Sequence, residues 1–443
     1  MTPLMRKLLM NGLFIGIIAI LSACGQTPGY DEIEVVENDI AIAVPSPSPS
    51  PIPSPTPMPT LEPIPELPPV HESLAPIGQT FYAGDGNSSF ILEDGSLWGW
   101  GENRRGELAD GTTEAREEPI HIMDNVVSAR VGWGTSMALR TDGNLWSWSN
   151  HGEPEQIMDD VVYANWILAH RADGSLWDWN FHWHWHEEPE HIADDVTAFS
   201  MGGLSIMTIR SDGSLWGQTR WGGRNWHGEL GDGTMEEERL SPVHIMDDVA
   251  YVSAGGFHTA AITSDGSLWV WGSNETGQLG STITWPPQPS PVWVMDDVIA
   301  VSAGSVGGSG AGFGGNTVVI RDDGSLWGWG AGLNSGLAPE HGLVSMDWYN
   351  PTPQKMLDNA VQIFRGPDMI MALSSNGELW NLKGDIALIA ENVAAADIGF
   401  NHMLVLMTDG SLWRWERDVW RWPFNIVIDG DSPVHIMDGV LMP

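Results

Sequence analysis

From Ile77 onward, short apolar runs alternate with turn residues along the chain. In the clearest stretch, Val249 to Gly280, the runs HTAAIT and SLWVWG flank a turn that contains Asp265-Gly266. An Asp-Gly pair between β-rich runs favours a tight hairpin, because both residues tolerate positive φ. The two runs are therefore predicted to be paired strands. In the second run both alternating sets of side chains are apolar, which predicts a sheet buried on both faces.

Two phrases repeat through this region and mark its units. The first, Asp-Gly-Ser-Leu-Trp or a close variant, begins at Asp94, Asp142, Asp173, Asp212, Asp265, Asp323, Asn376 and Asp409. The second, Ile-Met-Asp-Asp-Val or a close variant, begins at Ile122, Ile157, Ile192, Ile245, Val294, Met356, Ile389 and Ile436. The phrases alternate without exception. Eight sheets, each covered on both faces, suit blades that pack around an axis, so the pattern predicts an all-β, closed β-propeller.

The segment AGGFHTAAITSDGSLWVWGSNETGQLG, with GENRRGELADGT at Gly101 and HGELGDGT at His227, resembles the repeat of the regulator of chromosome condensation family. The resemblance covers residues 77–443 and implies four-stranded blades. That family is known for seven blades, so eight units are a departure. Three units, which begin at Asp142, Asp173 and Asn376, are short and lack the Gly-Gln-Leu-Gly type of loop. We predict eight four-stranded blades, with seven as the alternative.

One tryptophan per unit is expected to be a structural residue of the repeat. These residues are Trp98, Trp146, Trp177, Trp216, Trp269, Trp327, Trp380 and Trp413. The two ends of the repeat region also complement each other, because the region begins with a first strand and ends on a second phrase. We therefore predict that Ile77 to Leu92 and Val434 to Leu441 meet in one sheet or in adjoining blades, which would remove exposed sheet edges.

The N-terminus has the pattern of a signal peptide, residues 1–23. Arg6 and Lys7 precede an apolar run from Leu8 to Leu21, which is shorter than the roughly 20 residues of a membrane-spanning helix. The tetrad Leu-Ser-Ala-Cys that ends at Cys24 resembles a bacterial lipobox, which implies transfer of a diacylglyceryl group to Cys24 and cleavage before it. The expected location is the extracellular face of a bacterial cell membrane, with a lipid anchor.

Residues 24–76 are predicted to form an acidic, Pro/Ser-rich, disordered tether. Prolines recur at almost every second position from Pro45 to Pro69, where they remove backbone donors and fix φ. Such a segment prefers an extended polyproline II form and acts as a stalk.

The charge of the chain narrows the choice of partners. The formal net charge is −39, with 19 Lys and Arg against 58 Asp and Glu. A polyanion without a basic cluster repels phosphate backbones, which argues against nucleic acid. The single cysteine, Cys24, leaves no intramolecular disulfide. We expect a monomer without a cofactor.

Three segments carry candidate chemistry. His182, His184 and His186 alternate along HWHWH, so on one face of a strand they would suit zinc or copper; the alternative is a His/Trp-rich connection between blades. The glycine-rich segment 304–315 lacks the lysine of a phosphate loop and is expected to be an insertion within a blade. The paired acids of the second phrase recur at equivalent points, which favours a turn role over calcium binding or catalysis.

Partner recognition is expected in the long connections that differ from blade to blade, residues 101–118, 217–241, 272–291, 328–353 and 416–432. Aromatic side chains there are candidate anchors for a partner. They are Trp221, Trp226, Trp285, Trp348, Tyr349, Trp420 and Trp422. No catalytic triad or unique pair of carboxylates stands out, so no catalytic residue is assigned.

These features favour a non-enzymatic module that binds a protein or a cell-wall glycan at the cell surface. One alternative is an inhibitor of a secreted enzyme on the same type of propeller. A polysaccharide lyase or hydrolase is a further alternative, and it would need a cluster of perturbed carboxylates in the central channel.

Overall fold

The computed structural model describes residues 80–132, 134–149, 153–179, 188–220, 223–235, 238–282, 286–305, 315–333, 349–366, 369–383, 386–416 and 433–442. The predicted signal peptide and tether lie outside these ranges. The described residues form eight four-stranded antiparallel sheets, the blades of a closed ring. The prediction of an all-β propeller with eight blades is confirmed, and the seven-bladed alternative is wrong because each short unit builds a complete blade.

Each blade is one uninterrupted run of four strands. Blades 1 to 4 comprise β1 Phe81–Ala83, β2 Asn87–Ile91, β3 Leu97–Gly101, β4 Arg116–Met123; β5 Val126–Arg130, β6 Thr135–Arg140, β7 Leu145–Ser149, β8 Glu155–Met158; β9 Val161–Ala164, β10 Leu168–Arg171, β11 Leu176–Asp178, β12 Glu190–Ala193; and β13 Val196–Met201, β14 Ser205–Arg210, β15 Leu215–Thr219, β16 Val243–Met246. Blades 5 to 8 comprise β17 Val249–Ala254, β18 His258–Thr263, β19 Leu268–Gly272, β20 Gln288–Met295; β21 Val298–Ser305, β22 Gly315–Arg321, β23 Leu326–Ala331, β24 Tyr349–Leu357; β25 Ala360–Arg365, β26 Ile370–Ser374, β27 Leu379–Asn381, β28 Ala387–Ala390; and β29 Val393–Ile398, β30 His402–Met407, β31 Leu412–Glu416, β32 Val434–Met437.

The first phrase forms the hairpin between the second and third strands. In blade 1, the carboxylate Oδ1 of Asp94 accepts hydrogen bonds from the backbone N–H of Ser96 at 2.9 Å and from its hydroxyl at 2.6 Å. That hydroxyl in turn accepts a bond from Nε1 of Trp98 at 2.9 Å. The two bonds from Ser96 hold the pKa of Asp94 below its usual range. The same relay from tryptophan to serine to aspartate recurs in blades 3, 4, 6 and 8.

The second phrase ends the fourth strand and leads into the next blade. Its second acidic or amide residue has a positive φ between 55° and 62° at Asn125, Asp160, Asp195, Asp248, Asp297, Asn359 and Asn392. Asp and Asn enter this left-handed region more readily than other residues with a side chain. The paired acids therefore lie in turns, as the sequence predicts.

The two phrases of each blade are hydrogen-bonded to each other. The backbone N–H of the last residue of each second phrase donates a hydrogen bond to the glycine carbonyl of the preceding first phrase. In blade 1 this bond runs from Val126 to Gly95 at 2.8 Å. Equivalent bonds occur at the other links, among them Val249 to Gly213 at 2.9 Å. Both phrases thus lie at the same end of the ring. We call this end the turn face, and the opposite end, which carries the first-to-second and third-to-fourth connections, the loop face.

The first strand of each blade lies nearest the axis, and the fourth lies outermost. First strands are mostly buried, whereas fourth strands such as β4 and β20 alternate between exposed and half-buried residues. Apolar clusters fill the space between successive blades. The second tryptophan of the Trp-x-Trp pattern is buried within these clusters, as at Trp271 and Trp329. Packing between blades therefore supplies the core.

The chain ends close the ring together. Val440 pairs with Leu92 in an antiparallel bridge, and the N–H of Leu441 donates to the carbonyl of Ile91 at 2.9 Å. In the second blade, the corresponding pair is Val126 with Arg140. Val440 and Leu441 therefore occupy the position at which the first strand of blade 1 would begin. β1 then continues that strand. The predicted meeting of the two ends is confirmed at Leu92 and Val440; Ile77 lies outside the described residues.

Within the part of the chain that the structure describes, no helix is long and apolar enough to cross a membrane.

Candidate functional site

All five long connections join the third and fourth strands of a blade and therefore open on the loop face. They belong to blades 1, 4, 5, 6 and 8. The turn face, by contrast, is built from the same two phrases in every blade. Variation between repeats is thus confined largely to one end of the ring, where a partner would meet it.

In blades 1, 4 and 5 these connections begin with the same folded loop, Asn-x-x-Gly-Glu/Gln-Leu. In blade 1, Oδ1 of Asn103 accepts a bond from the N–H of Leu108 at 3.0 Å, and Oε2 of Glu107 accepts one from the N–H of Arg105 at 2.8 Å. Equivalent bonds hold the loops at Asn225 to Leu230 and at Asn274 to Leu279. These bonds make the loop rigid, so the side chains at its two variable positions are presented from a fixed backbone.

The same loop locks each of these blades to its successor. The carbonyl of Glu229 accepts two bonds from blade 5, one from the hydroxyl of Thr259 at 2.8 Å and one from Nε1 of Trp271 at 2.9 Å. The carbonyls of Glu107 and Gln278 each accept a matching pair from the next blade. The variable loops are therefore carried on fixed supports.

A second repeated contact joins neighbouring inner strands near the loop face. The residue that makes it lies two positions before the glycine that ends most inner strands, and we call this the ring position. Ser200 accepts a bond at its hydroxyl from the N–H of Ala254 at 2.9 Å, and Ser253 accepts one from the N–H of Ala303 at 3.0 Å. Each serine thus ties its inner strand to that of the next blade.

The ring position is serine in blades 4 to 6 and another residue in blades 7, 8, 1, 2 and 3. Its residues there are Phe364, Asp397, Tyr82, Arg130 and Asn165. Asp397 keeps the tie between strands, since its Oδ2 accepts a bond from the N–H of Ala83 at 2.6 Å.

Three of these residues, Tyr82, Arg130 and Asp397, form one cluster at the inner strands. The ring of Tyr82 meets Trp166 edge-on, with centroids 5.8 Å apart and an angle of 66°, and Arg130 lies 5.7 Å from the Tyr82 ring centroid. Burial raises the pKa of Asp397, against the bond from Ala83 and the charge of Arg130. Burial also raises the pKa of Tyr82. The cluster combines aromatic faces with hydrogen-bonding and charged groups, as binding pockets do.

Among the loop-face residues that the structure describes, three exposed large apolar side chains lie in the long connection of blade 4. Trp226, Met235 and Leu240 are 50%, 41% and 63% exposed. Neighbouring His227 packs against Phe257 of blade 5, with ring centroids 4.8 Å apart. We call Trp226, Met235 and Leu240 the blade-4 patch. Aromatic and methionine side chains on a rigid loop are typical of protein interfaces.

The predicted partner-binding residues divide by what the structure describes. Trp226 lies in the blade-4 patch. Tyr349 begins β24, where its backbone pairs with Ala331. Trp221, Trp285, Trp348, Trp420 and Trp422 lie outside the described residues. The eight repeat tryptophans lie on the third strands, half-buried.

The metal hypothesis falls on undescribed residues, because His182, His184 and His186 lie outside the described ranges. Over the ranges that are described, no group of three or more His, Cys, Asp or Glu side chains could hold a metal ion. His191, downstream of that segment, bonds instead to Asp194 at 2.8 Å. The glycine-rich segment 304–315 connects β21 to β22 within blade 6, and its central residues are likewise undescribed.

Sequence reasoning missed the ring position and its cluster. Tyr82, Arg130 and Asp397 lie on apolar-looking strands and belong to neither repeated phrase. A register-by-register alignment of the inner strands on their terminal glycines would have shown the serines and the departures from them. Their convergence on one arc depends on closure of the ring between blades 8 and 1, which single-strand patterns do not encode.

Comparisons with known proteins identify the repeat. Models of the Regulator of chromosome condensation (RCC1) repeat match residues 94–139, 249–278 and 265–306. The regulator of chromosome condensation of Drosophila melanogaster is 26% identical over 157 residues, and the human protein is 35% identical over 85 residues. These segments are 34% and 18% of this chain but only 27% and 19% of the relatives. The chain thus matches about a quarter or less of their length.

One plant protein and two solved structures are also similar to this chain. The ultraviolet-B receptor UVR8 of Arabidopsis thaliana is 26% identical over 205 residues, 43% of this chain and 40% of the receptor. Prp20p of Saccharomyces cerevisiae is 17% identical, with a TM-score of 0.45 over 72% of this chain and 80% of its own. Human WBSCR16 is 16% identical, with a TM-score of 0.45 over 76% and 87%.

Proposed function

We propose that this RCC1-type repeat protein is a cell-surface lipoprotein whose propeller binds a protein or cell-wall glycan partner through its loop face. One observation carries the proposal: the long connections, the blade-4 patch and the channel cluster all lie at the loop-face end, while the turn face repeats the same two phrases. A uniform scaffold with one variable end is the arrangement of a binding module.

The blade-4 patch favours a protein partner, because its exposed side chains are apolar.

The inhibitor alternative shares this binding face and differs only in the origin of the partner. The lyase or hydrolase alternative needs paired carboxylates at suitable spacing. On the eight described inner strands, Asp397 is the single acidic residue, and it already bonds to Ala83. The arrangement therefore supports binding better than acid/base catalysis.

The test has two arms. The Cys24→Ser chain should be absent from the membrane fraction of the producing cells, whereas the unaltered chain should stay there. Retention of the Cys24→Ser chain in the membrane fraction would contradict lipid anchoring through Cys24. Immobilised Cys24→Ser protein should then retain a specific protein or glycan from envelope extracts of the producing organism. Retention of material only from other organisms would favour the inhibitor, and retention of nothing from either source would count against binding.

A further inference from the structure

The guanidinium of Arg365 lies at the channel wall, near the loop-face ends of the inner strands β21 and β25. Its Nε donates to the hydroxyl of Ser302 at 2.7 Å, Nη2 donates to the carbonyl of Ser302 at 3.1 Å, and Nη1 donates to Oδ1 of Asn316 at 2.9 Å. The group lies against Gly304, where an added Cβ would collide with it. Its plane is therefore fixed by three bonds to two residues.

Arg365 also breaks the pattern of the ring position. In blades 4 and 5, the serine of one blade accepts a hydrogen bond from a backbone N–H of the next blade. At Ser302 the side chain of Arg365 takes the place of that backbone donor. The scaffold does not need a charged group here, since a backbone N–H serves the same purpose elsewhere in the ring.

The charge of Arg365 has no counter-ion among the described residues. Its three hydrogen-bond acceptors are neutral, and an N–H on each terminal nitrogen is left without a described acceptor. Several other arginines of the ring meet carboxylates, as Arg321 does at Asp297, 2.7 Å away. Burial lowers the pKa of Arg365 to about 10, so it is cationic at neutral pH. A largely buried cation without a nearby anion lowers the stability of the fold. The protein is rich in acidic residues, yet none of the described ones pairs with Arg365.

The neighbouring His258 does not supply an anion. It is buried, its Nε2 lies 3.1 Å from the hydroxyl of Thr317, and its Nδ1 has no partner among the described atoms. Burial, together with the charge of Arg365, lowers the pKa of His258 to about 3, so the ring is neutral. The surroundings of Arg365 thus hold unsatisfied donors and a neutral imidazole.

We propose that Arg365, held by Ser302 and Asn316, is a subsite for the carboxylate of an acidic side chain on the protein partner. Two N–H donors on one monovalent cation match a monoanionic group with two oxygens in a plane. A dianionic phosphate would demand more donors and would be repelled more strongly by the acidic protein. The inference rests on the proposed function, and it names the chemistry that the channel end of the loop face recognises.

The test measures binding of two matched peptides to the full chain by calorimetry. Acetyl-Gly-Glu-Gly-amide should bind saturably, whereas acetyl-Gly-Gln-Gly-amide, which lacks the charge, should bind at least tenfold more weakly. Glucuronate reports whether a sugar acid is preferred. Equal binding of the two peptides, or binding of glucuronate alone, would overturn the proposal.

Variants separate a binding role from a structural one. Arg365→Gln should weaken binding of the glutamate peptide at least tenfold, and the control Arg321→Gln should leave it unchanged. Asn316→Asp has the same size and supplies an internal carboxylate, although it loses the bond that Nδ2 of Asn316 donates to the carbonyl of Ala331 at 2.9 Å. It should fold, with somewhat lower stability, and lose the peptide, even if Arg365→Gln does not fold. Unchanged affinity in Asn316→Asp would overturn the inference. Failure of the unaltered protein to retain any envelope partner would instead count against the proposed function.

Discussion

Trp146 departs from the relay that holds its counterparts in other blades. Asn144 stands where most repeats have serine, and Nε1 of Trp146 is buried without a described hydrogen-bond partner. Asn144→Ser should restore the relay and raise the free energy of unfolding by about 1 kcal/mol. Urea unfolding measures this, and Ser96→Ala in blade 1 should shift stability in the opposite direction. A loss of stability in Asn144→Ser would contradict the relay.

Glu229 is a second residue at which the repeat is imperfect. Its Oε1 is buried without a described partner, and burial raises its pKa to about 7. The folded state therefore holds a proton that the unfolded chain releases near its ordinary pKa of 4.5. Stability should fall as pH rises from about 4.5 to 7 and then level off, by up to about 3 kcal/mol.

Glu229→Gln removes that cost, because the amide does not ionise. The variant should match the unaltered protein at low pH and exceed its stability by the largest margin above pH 7, in unfolding measured across the pH range. Glu107→Gln is the matched control, since Glu107 has no orphaned oxygen among the described atoms. An equal gain in both variants would show that burial at Glu229 is not the cause.

The loop of the Asn-x-x-Gly-Glu/Gln-Leu type makes a prediction at the scale of the element. Gly277 has a φ of 77°, and an added Cβ would collide with Pro351 on the fourth strand of the next blade, β24. Gly111 has a φ of 73° with nothing within 4 Å of an added Cβ. Gly111→Ala should therefore cost about 1 kcal/mol from backbone strain alone, and Gly277→Ala roughly twice that or more. Equal costs in thermal unfolding would mean that contact with Pro351 does not constrain the loop.

The elements themselves were predictable from the sequence to different degrees. The hairpins and links follow from Asp-Gly and Asp-Asp, because these residues tolerate positive φ wherever they occur. The tie between Glu229 and the next blade was not predictable, since its acceptor is a backbone carbonyl that carries no residue signature. The channel cluster and Arg365 were missed for a related reason: their partners lie in other blades, and only the closed ring brings them together.

The closure of the ring makes a prediction for the whole molecule. Val440 is buried and pairs with Leu92, so deletion of residues 438–443 removes this bridge and its packing. We expect a loss on the order of 3 kcal/mol and faster hydrogen exchange in β1 and β29 than in blades 4 and 5. Deletion of residues 442–443 alone is the control and should change neither. Uniform exchange across all blades after the longer deletion would contradict a clasp formed by the two ends.

Recognition through the loop face is tested most directly by two tryptophans of equal exposure. Trp226 of the blade-4 patch is 50% exposed, and Trp293 on the outermost strand β20 is 51% exposed. In the capture experiment with envelope extracts, Trp226→Ala should reduce the retained partner at least tenfold, whereas Trp293→Ala should retain as much as the unaltered protein. Full retention by Trp226→Ala together with loss in Trp293→Ala would place recognition on the outer wall and contradict the account.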